Sequence, residues 1–265
     1  MEPSFLYRTP SFLIALLLLV LMMLIHGLAH QIRIRSLNKL PSPEDGGFGP
    51  VEGSLLGLLA LLLSFTFSMS SSRYDNRVHA MVVEANSIRT AILRADVFPD
   101  SLRRSFRNEF NKYVEARISL YAAGADAGNT REAYRQTTQS SSRLWTLATG
   151  AAKSSNGNIT AGSGPMMNAL TDMINNDYLR RSSRETTVPD SIVWLLLVLC
   201  LAASFIVGYG NKKNPDWILV FSFSLMISIA VFSILDLDHP HSGLISLDGA
   251  ERHFIELRDL IGNAG

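Results

Sequence analysis

Cysteine is almost absent. The single one, Cys200, sits inside an apolar run, so the chain closes no intrachain disulfide and builds no cysteine metal cluster. An excess of charge of either sign is also missing. Lysine and arginine total 24 against 23 acidic residues, a net charge of +1 that gives no electrostatic reason to bind nucleic acid or an acidic partner. No run alternates with the period of a strand, and no internal repeat is found. There is no phosphate-binding loop, no HExxH pair, no nucleophile elbow and no Cys-His set, so an enzyme has no catalytic constellation to rest on and no cofactor is implied.

What the sequence does have is apolar residues, 47% of 265, gathered into four blocks. They run from Ser11 to Ala29, Val51 to Met69, Ser191 to Gly210 and Trp217 to Leu235. Each approaches the roughly 20 residues a helix needs to cross the hydrocarbon core. Only Glu52 is charged among them, at an end of its block. Trp194, Tyr209 and Trp217 stand near block ends, where amphipathic rings favour the headgroup level. The first block is long for a signal peptide and no A-x-A site follows it, so it reads as an uncleaved span. Four crossings put both termini on one side. Charge does not say which side: Arg33, Arg35, Lys39, Lys212 and Lys213 on one face balance Arg8, Arg73, Arg77, Arg180, Arg181 and Arg184 on the other.

Residues 73–190 form the one long stretch between spans and read as helical. Val78, Met81, Val82, Ala85, Ile88 and Ile92 recur at helical spacing until Pro99. Leu102, Phe106, Phe110, Tyr113, Val114 and Ile118 make a second stripe. "AGADAGNT" reads as a break with Thr130 as N-cap of a weaker helix. "KSSNGNITAGSG" reads as a loop, with Ser163 starting the next helix. "ERHFIELRDL", in the C-terminal segment 236–265, is a short amphipathic helix. The pattern predicts an all-α membrane protein: four transmembrane helices with a helical extramembrane domain inserted between spans two and three.

Several polar groups are candidates for a site, each with a plainer reading. His26 and His30 share a helical face, but a metal needs further ligands, so an interfacial position is expected. Asn158-Ile159-Thr160 fits a glycosylation sequon, a pattern that also arises by chance. In "DLDHPH", Asp236 and Asp238 are the weak metal candidates; the plainer reading is that acidic residues end the span and Pro240 stops the helix. Arg73, Arg77, Glu84, Arg89 and Arg94 suggest a charged seam, which reads most plainly as a solvated face or an ion-pair network between subunits and otherwise as a vestibule that concentrates ions.

Span two differs from the rest. Gly53, Gly57, Ala60, Ser64, Ser68 and Ser71 recur at three or four, a stripe of small and hydroxylated residues. Leu55, Leu58, Leu59, Leu62 and Leu63 are expected on the opposite side. One reading is close helix packing through Gly53-x-x-x-Gly57. The other is a pore wall lined by Gly57, Ser64, Ser68 and Ser71, with Leu61 and Phe65 as an apolar constriction that gates by dewetting. A pore would need several subunits around an axis.

The runs "LLALLLSFTFSMSSSRYDNR…VVEANSIRTAILRADVFP" and "ILDLDHPHSGLISL" resemble the bestrophin-like domain family of bacterial membrane proteins. They are similar, more distantly, to the bestrophin channels, whose second helix carries an apolar neck, a small-polar segment and an Arg-aromatic pair. Arg73-Tyr74 matches that pair, and Leu61 and Phe65 fall where the neck would be. The resemblance implies a homopentamer in the bacterial inner membrane, one axial pore for permeant ions, and a cytosolic insert and termini. The long acidic run of a calcium clasp is absent. The competing expectation is a non-conducting membrane protein whose helical domain binds a partner or senses a signal.

Overall fold

The computed structural model describes residues 9–37, 49–122, 127–154, 157–185, 187–210, 216–238 and 248–262. Within them are eight α-helices and no strand. We number them α1 (Ser11–Leu37), α2 (Gly49–Ala95), α3 (Asp100–Ala122), α4 (Ala127–Ala152), α5 (Gly157–Glu185), α6 (Asp190–Gly210), α7 (Trp217–Asp238) and α8 (Asp248–Gly262). Four of them, α1, α2, α6 and α7, are long and apolar enough to cross a membrane.

The chain divides into two compact units. The first comprises residues 1–74 and 187–244. In it α1 packs on α6 and α7. Its core is Leu18 and Met22 from α1, Leu196 and Cys200 from α6, Val231 and Ile234 from α7, and Leu59 from α2. A cross-helix hydrogen bond, Ser204 Oγ to Met22 O at 2.6 Å, adds a polar tie between α1 and α6. Nearby, a Cβ on Gly208 would lie 2.6 Å from the His26 carbonyl oxygen. Only glycine allows the two backbones to come this close.

The second unit comprises residues 75–186 and 245–265. Phe106, Phe110 and Tyr113 of α3 meet Ile88 and Ile92 of α2, Leu144 of α4, Met166, Leu170 and Met173 of α5, and Phe254 of α8 in one core. These are the apolar stripes that helical spacing picks out, each buried against its neighbours.

Helix α2 is a single element of 47 residues, about 70 Å at 1.5 Å per residue. The reason is local. Between Pro50 and Pro99 there is no proline, and the only glycines are Gly53 and Gly57 near its start. The apolar run therefore passes into the charged run with no stop signal. The helix closes at Asp96–Phe98 with short turns, among them Phe98 N–H to Ala95 O at 3.2 Å. Pro99 O then accepts the amides of Leu102 and Arg103 and starts α3.

Two boundary expectations are corrected. Helix α4 begins at Ala127, which puts Thr130 inside it and not at its cap. Helix α5 begins at Gly157, so residues 157–164 of the expected loop are helical and Pro165 lies within the helix. Ser163 starts nothing: its Oγ donates back to Thr160 O at 2.6 Å. Packing overrides the glycine-serine composition here. Ile159 lies on the core, and a Cβ at Gly162 would touch the Phe98 ring at 3.3 Å. The sequon's Asn158 falls in this helix, with its side chain outside the described atoms. Arg8, Lys39, Lys212, Lys213, His239, Pro240 and His241, and the side chain of Arg184, also lie outside the described residues.

Candidate functional site

The apolar half of α2 has two unlike faces. Thr66 and Ser70 are buried on one of them, and Leu59 is buried in the core with Leu55, Leu62 and Leu63 against it. Gly53, Gly57, Ala60, Ser64 and Ser68 lie on the other, exposed, and Ser71 sits half-buried beside them. Leu58, expected among the packed leucines, is on the open side. Leu61 and Phe65 flank the stripe with 53% and 57% of their surfaces free.

This exposure bears on the two readings of the stripe. A methyl added at Gly53 or Gly57 would meet nothing within 4 Å. Among the described residues, the Gly-x-x-x-Gly pair therefore seats no other helix. The open face of α1 offers a contrast: Phe12, Leu16, Leu17, Val20 and Leu24 are exposed there, all bulky and apolar, as a surface facing lipid tails should be. A face of glycines and hydroxyls gains nothing from that solvent.

The charged residues farther along α2 are less open. Arg73 is half-buried, and Arg77 and Glu84 are buried. Glu84 is enclosed by arginines of its own chain. It pairs with Arg117 of α3, and Arg180 Nη1 of α5 reaches Glu84 Oε2 at 3.1 Å. Arg117 Nη1 continues to Asp177 at 2.6 Å, and Arg181 closes on Asp177 at 2.8 Å. The expectation of an intersubunit seam is thus corrected for Glu84, whose partners are intrachain. The partners come from helices that the spacing of α2 cannot reveal. Arg180 also stacks on Tyr121, 4.4 Å from the ring centre, and Arg181 on Tyr134 at 4.3 Å. Burial alone would lower the pKa of Arg117, but Glu84, Tyr113 and Asp177 outweigh it and raise it. Burial likewise raises the pKa of Tyr113 beside this cluster. Arg89 is exposed, and Arg94 donates to the Pro165 carbonyl.

Asp236 and Asp238 are both buried in the first unit. Asp238 acts structurally, since its Oδ2 accepts the Val188 amide at 2.9 Å, just before α6 begins. Among the described residues no three His, Cys, Asp or Glu side chains gather to hold a metal. His26 and His30 are both buried, and His26 meets Trp217 edge-on with ring centres 6.1 Å apart. Two groups on α2 escaped the sequence reading, Thr66 and Ser70. Their signal was helical phase: they sit opposite the stripe, although they lie in the same serine-rich run.

These features define an all-helical membrane protein with four helices able to span. The sequence matches the model of the Bestrophin-like domain over residues 12–250, and the chain belongs to that family. A bacterial bestrophin homolog from Klebsiella pneumoniae has a similar structure, with a TM-score of 0.64 at 15% identity, covering 92% of this chain and 98% of that one. A single-substitution variant of that homolog gives a TM-score of 0.65 at 16% identity, with 95% and 99% covered. Identity this low speaks for the fold alone. No curated protein matches the sequence significantly.

Proposed function

We propose that this protein is a homo-oligomeric ion channel whose pore is walled by the open face of α2 from each subunit. The observation that carries the reading is the stripe itself: small and hydroxylated side chains on a face that the described residues leave open. Gly57, Ser64 and Ser68 line the water-filled path, with Ser71 at its edge. Leu61 and Phe65, one turn apart, form two apolar rings about 6 Å apart along the axis, a neck that closes by dewetting. The family supports five subunits around one axis, a bacterial inner-membrane location, and cytosolic placement of both termini and of the helical region inserted between spans two and three. Lipid, other copies of the chain and permeant ions are the partners. Glu84 serves the fold of the second unit, tying α2 to α3 and α5 through Arg117 and Arg180.

The test is current across a planar bilayer containing the purified protein, beside Phe65→Ala. Discrete currents that grow or lose gating in the variant are expected. Ser64→Cys and Ser68→Cys, in a Cys200→Ser background, should react with a hydrophilic thiol reagent. Silent bilayers together with unreactive cysteines would sink the reading and leave the stripe as a dry contact between copies.

A further inference from the structure

Helices α2 and α8 leave a cleft of about 150 Å³ between them, within the second unit. Helical spacing gathers its walls. Asn86 and Arg89 on α2 are three residues apart, and His253, Glu256 and Leu260 on α8 follow at three and four. Buried Ala85 and Leu257, with half-buried Leu260, supply its apolar lining. The α8 wall is anchored from the core, where the Phe254 ring meets the Tyr121 ring at 5.0 Å.

The cleft holds charges of both signs that do not close on each other. Arg89 comes from α2 and Glu256 from α8, and among the described residues no ion pair joins them. Arg89 pairs with no described carboxylate, and Glu256 meets only His253, Nδ1 to Oε2 at 3.7 Å. Elsewhere in this unit such pairs do close: Arg107 reaches Asp96 at 2.6 Å, and Lys112 reaches Glu109 at 2.7 Å. A guanidinium and a carboxylate that line one cleft without pairing suit a guest that carries both charges. Arg89 offers a planar fork to a carboxylate, and Glu256 accepts from an ammonium. The Asn86 amide can donate or accept beside them. The volume sets the size. At about 30 Å³ for each water-sized group, the cleft takes about five, the frame of a small amino acid.

We propose that the cleft between α2 and α8 binds a small zwitterion of the amino-acid class, with its carboxylate on Arg89 and its ammonium on Glu256. Leu257 and Leu260 meet its carbon frame. The site lies wholly within the second unit, so it does not depend on the pore reading.

The experiment uses the full chain in detergent. Glycine, L-alanine, L-valine and β-alanine are titrated and followed by saturation-transfer NMR. Ligands this small should bind with millimolar dissociation constants. For each amino acid that binds, its relatives with one charge (for valine, isovalerate and isobutylamine) should bind about tenfold more weakly. Arg89→Gln and Glu256→Gln should each weaken the amino acid about tenfold, the loss of a charge-assisted hydrogen bond. Asn86→Ala should weaken it less, and the exposed Arg104→Gln on α3 not at all. Arg89 and Glu256 are both exposed, so neither substitution should unfold the chain. Glu256→Gln should leave the carboxylate-only relative as well bound as before, a result that general loosening of α8 would not give. Absence of saturable binding for all four amino acids overturns the proposal. So does equal binding of the single-charge relatives, or binding that Arg89→Gln and Glu256→Gln leave unchanged.

Discussion

Removing the Glu84 carboxylate should weaken the second unit more than any surface substitution. In Glu84→Ala, Arg117 and Arg180 remain inside the core, 0% and 4% exposed at the side chain, with their shared counter-ion gone. Breaking a buried pair from one side costs about 3–5 kcal/mol, because the remaining charge is left without compensation. For a folding unit of roughly 130 residues, each kcal/mol lowers Tm by about 3–5 °C, so the expected fall is about 10–20 °C. Asp177 still holds Arg117 from the other side, which places the loss toward the lower end. The assay is thermal unfolding of the full chain in detergent, followed by circular dichroism. Glu84→Gln keeps an acceptor and should lose less than Glu84→Ala. A cycle of Glu84→Gln with Arg180→Gln should give a coupling of about 0.5–3 kcal/mol. A Glu84→Ala melt within about 3 °C of the unaltered protein would refute the reasoning, since the network would then contribute no more than an exposed pair.

Gly208→Ala should lower the stability of the first unit by about 1–3 kcal/mol, because its methyl would run into the His26 backbone, whereas Gly57→Ala should melt as the unaltered protein does. Equal melts for the two variants would count against the close approach of α1 and α6. The third expectation concerns alkaline pH. Because the folded pKa of Tyr113 is raised above the ordinary value of 10.0, its contribution to stability is complete below pH 10.0 and is lost as the pH climbs through the folded value. Tyr113→Phe should therefore lose less Tm than the unaltered protein between about pH 9 and 11, and parallel losses would contradict the assignment.

Much of this molecule could be read from its residues. The four spans announced themselves because hydropathy is a sum over a window and needs no knowledge of partners. The α2 stripe was equally accessible, since helical phase alone separates Ser64 and Ser68 from Leu59. What phase could not supply was the occupant of each face. Leu58 lies about 100° from Gly57, on the border between faces, and only the actual neighbours decide its side. Glu84 and Arg77 looked like members of a solvated seam until α3 and α5 covered Glu84 and burial claimed Arg77 as well. Residues 157–164 carry the composition of a loop, and it is contact with Phe98 and the core that keeps them helical. Asp238 hides its role for a similar reason: the amide it caps belongs to Val188, fifty positions away.

Helix α2 runs without interruption, and this ties its length to its phase. From Leu59 to Ser70 is eleven residues, about three turns, so both are buried while Ser64 and Ser68 between them are exposed. That phase is set by counting alone, because no glycine or proline lies between Leu59 and Ser70 to absorb an error. Deleting or inserting a single residue anywhere between them would swing one end by about 100° relative to the other. Either the packed side or the stripe would then face the wrong way. This stretch should tolerate substitutions far better than changes in length, and among related chains its length should be held while its letters drift.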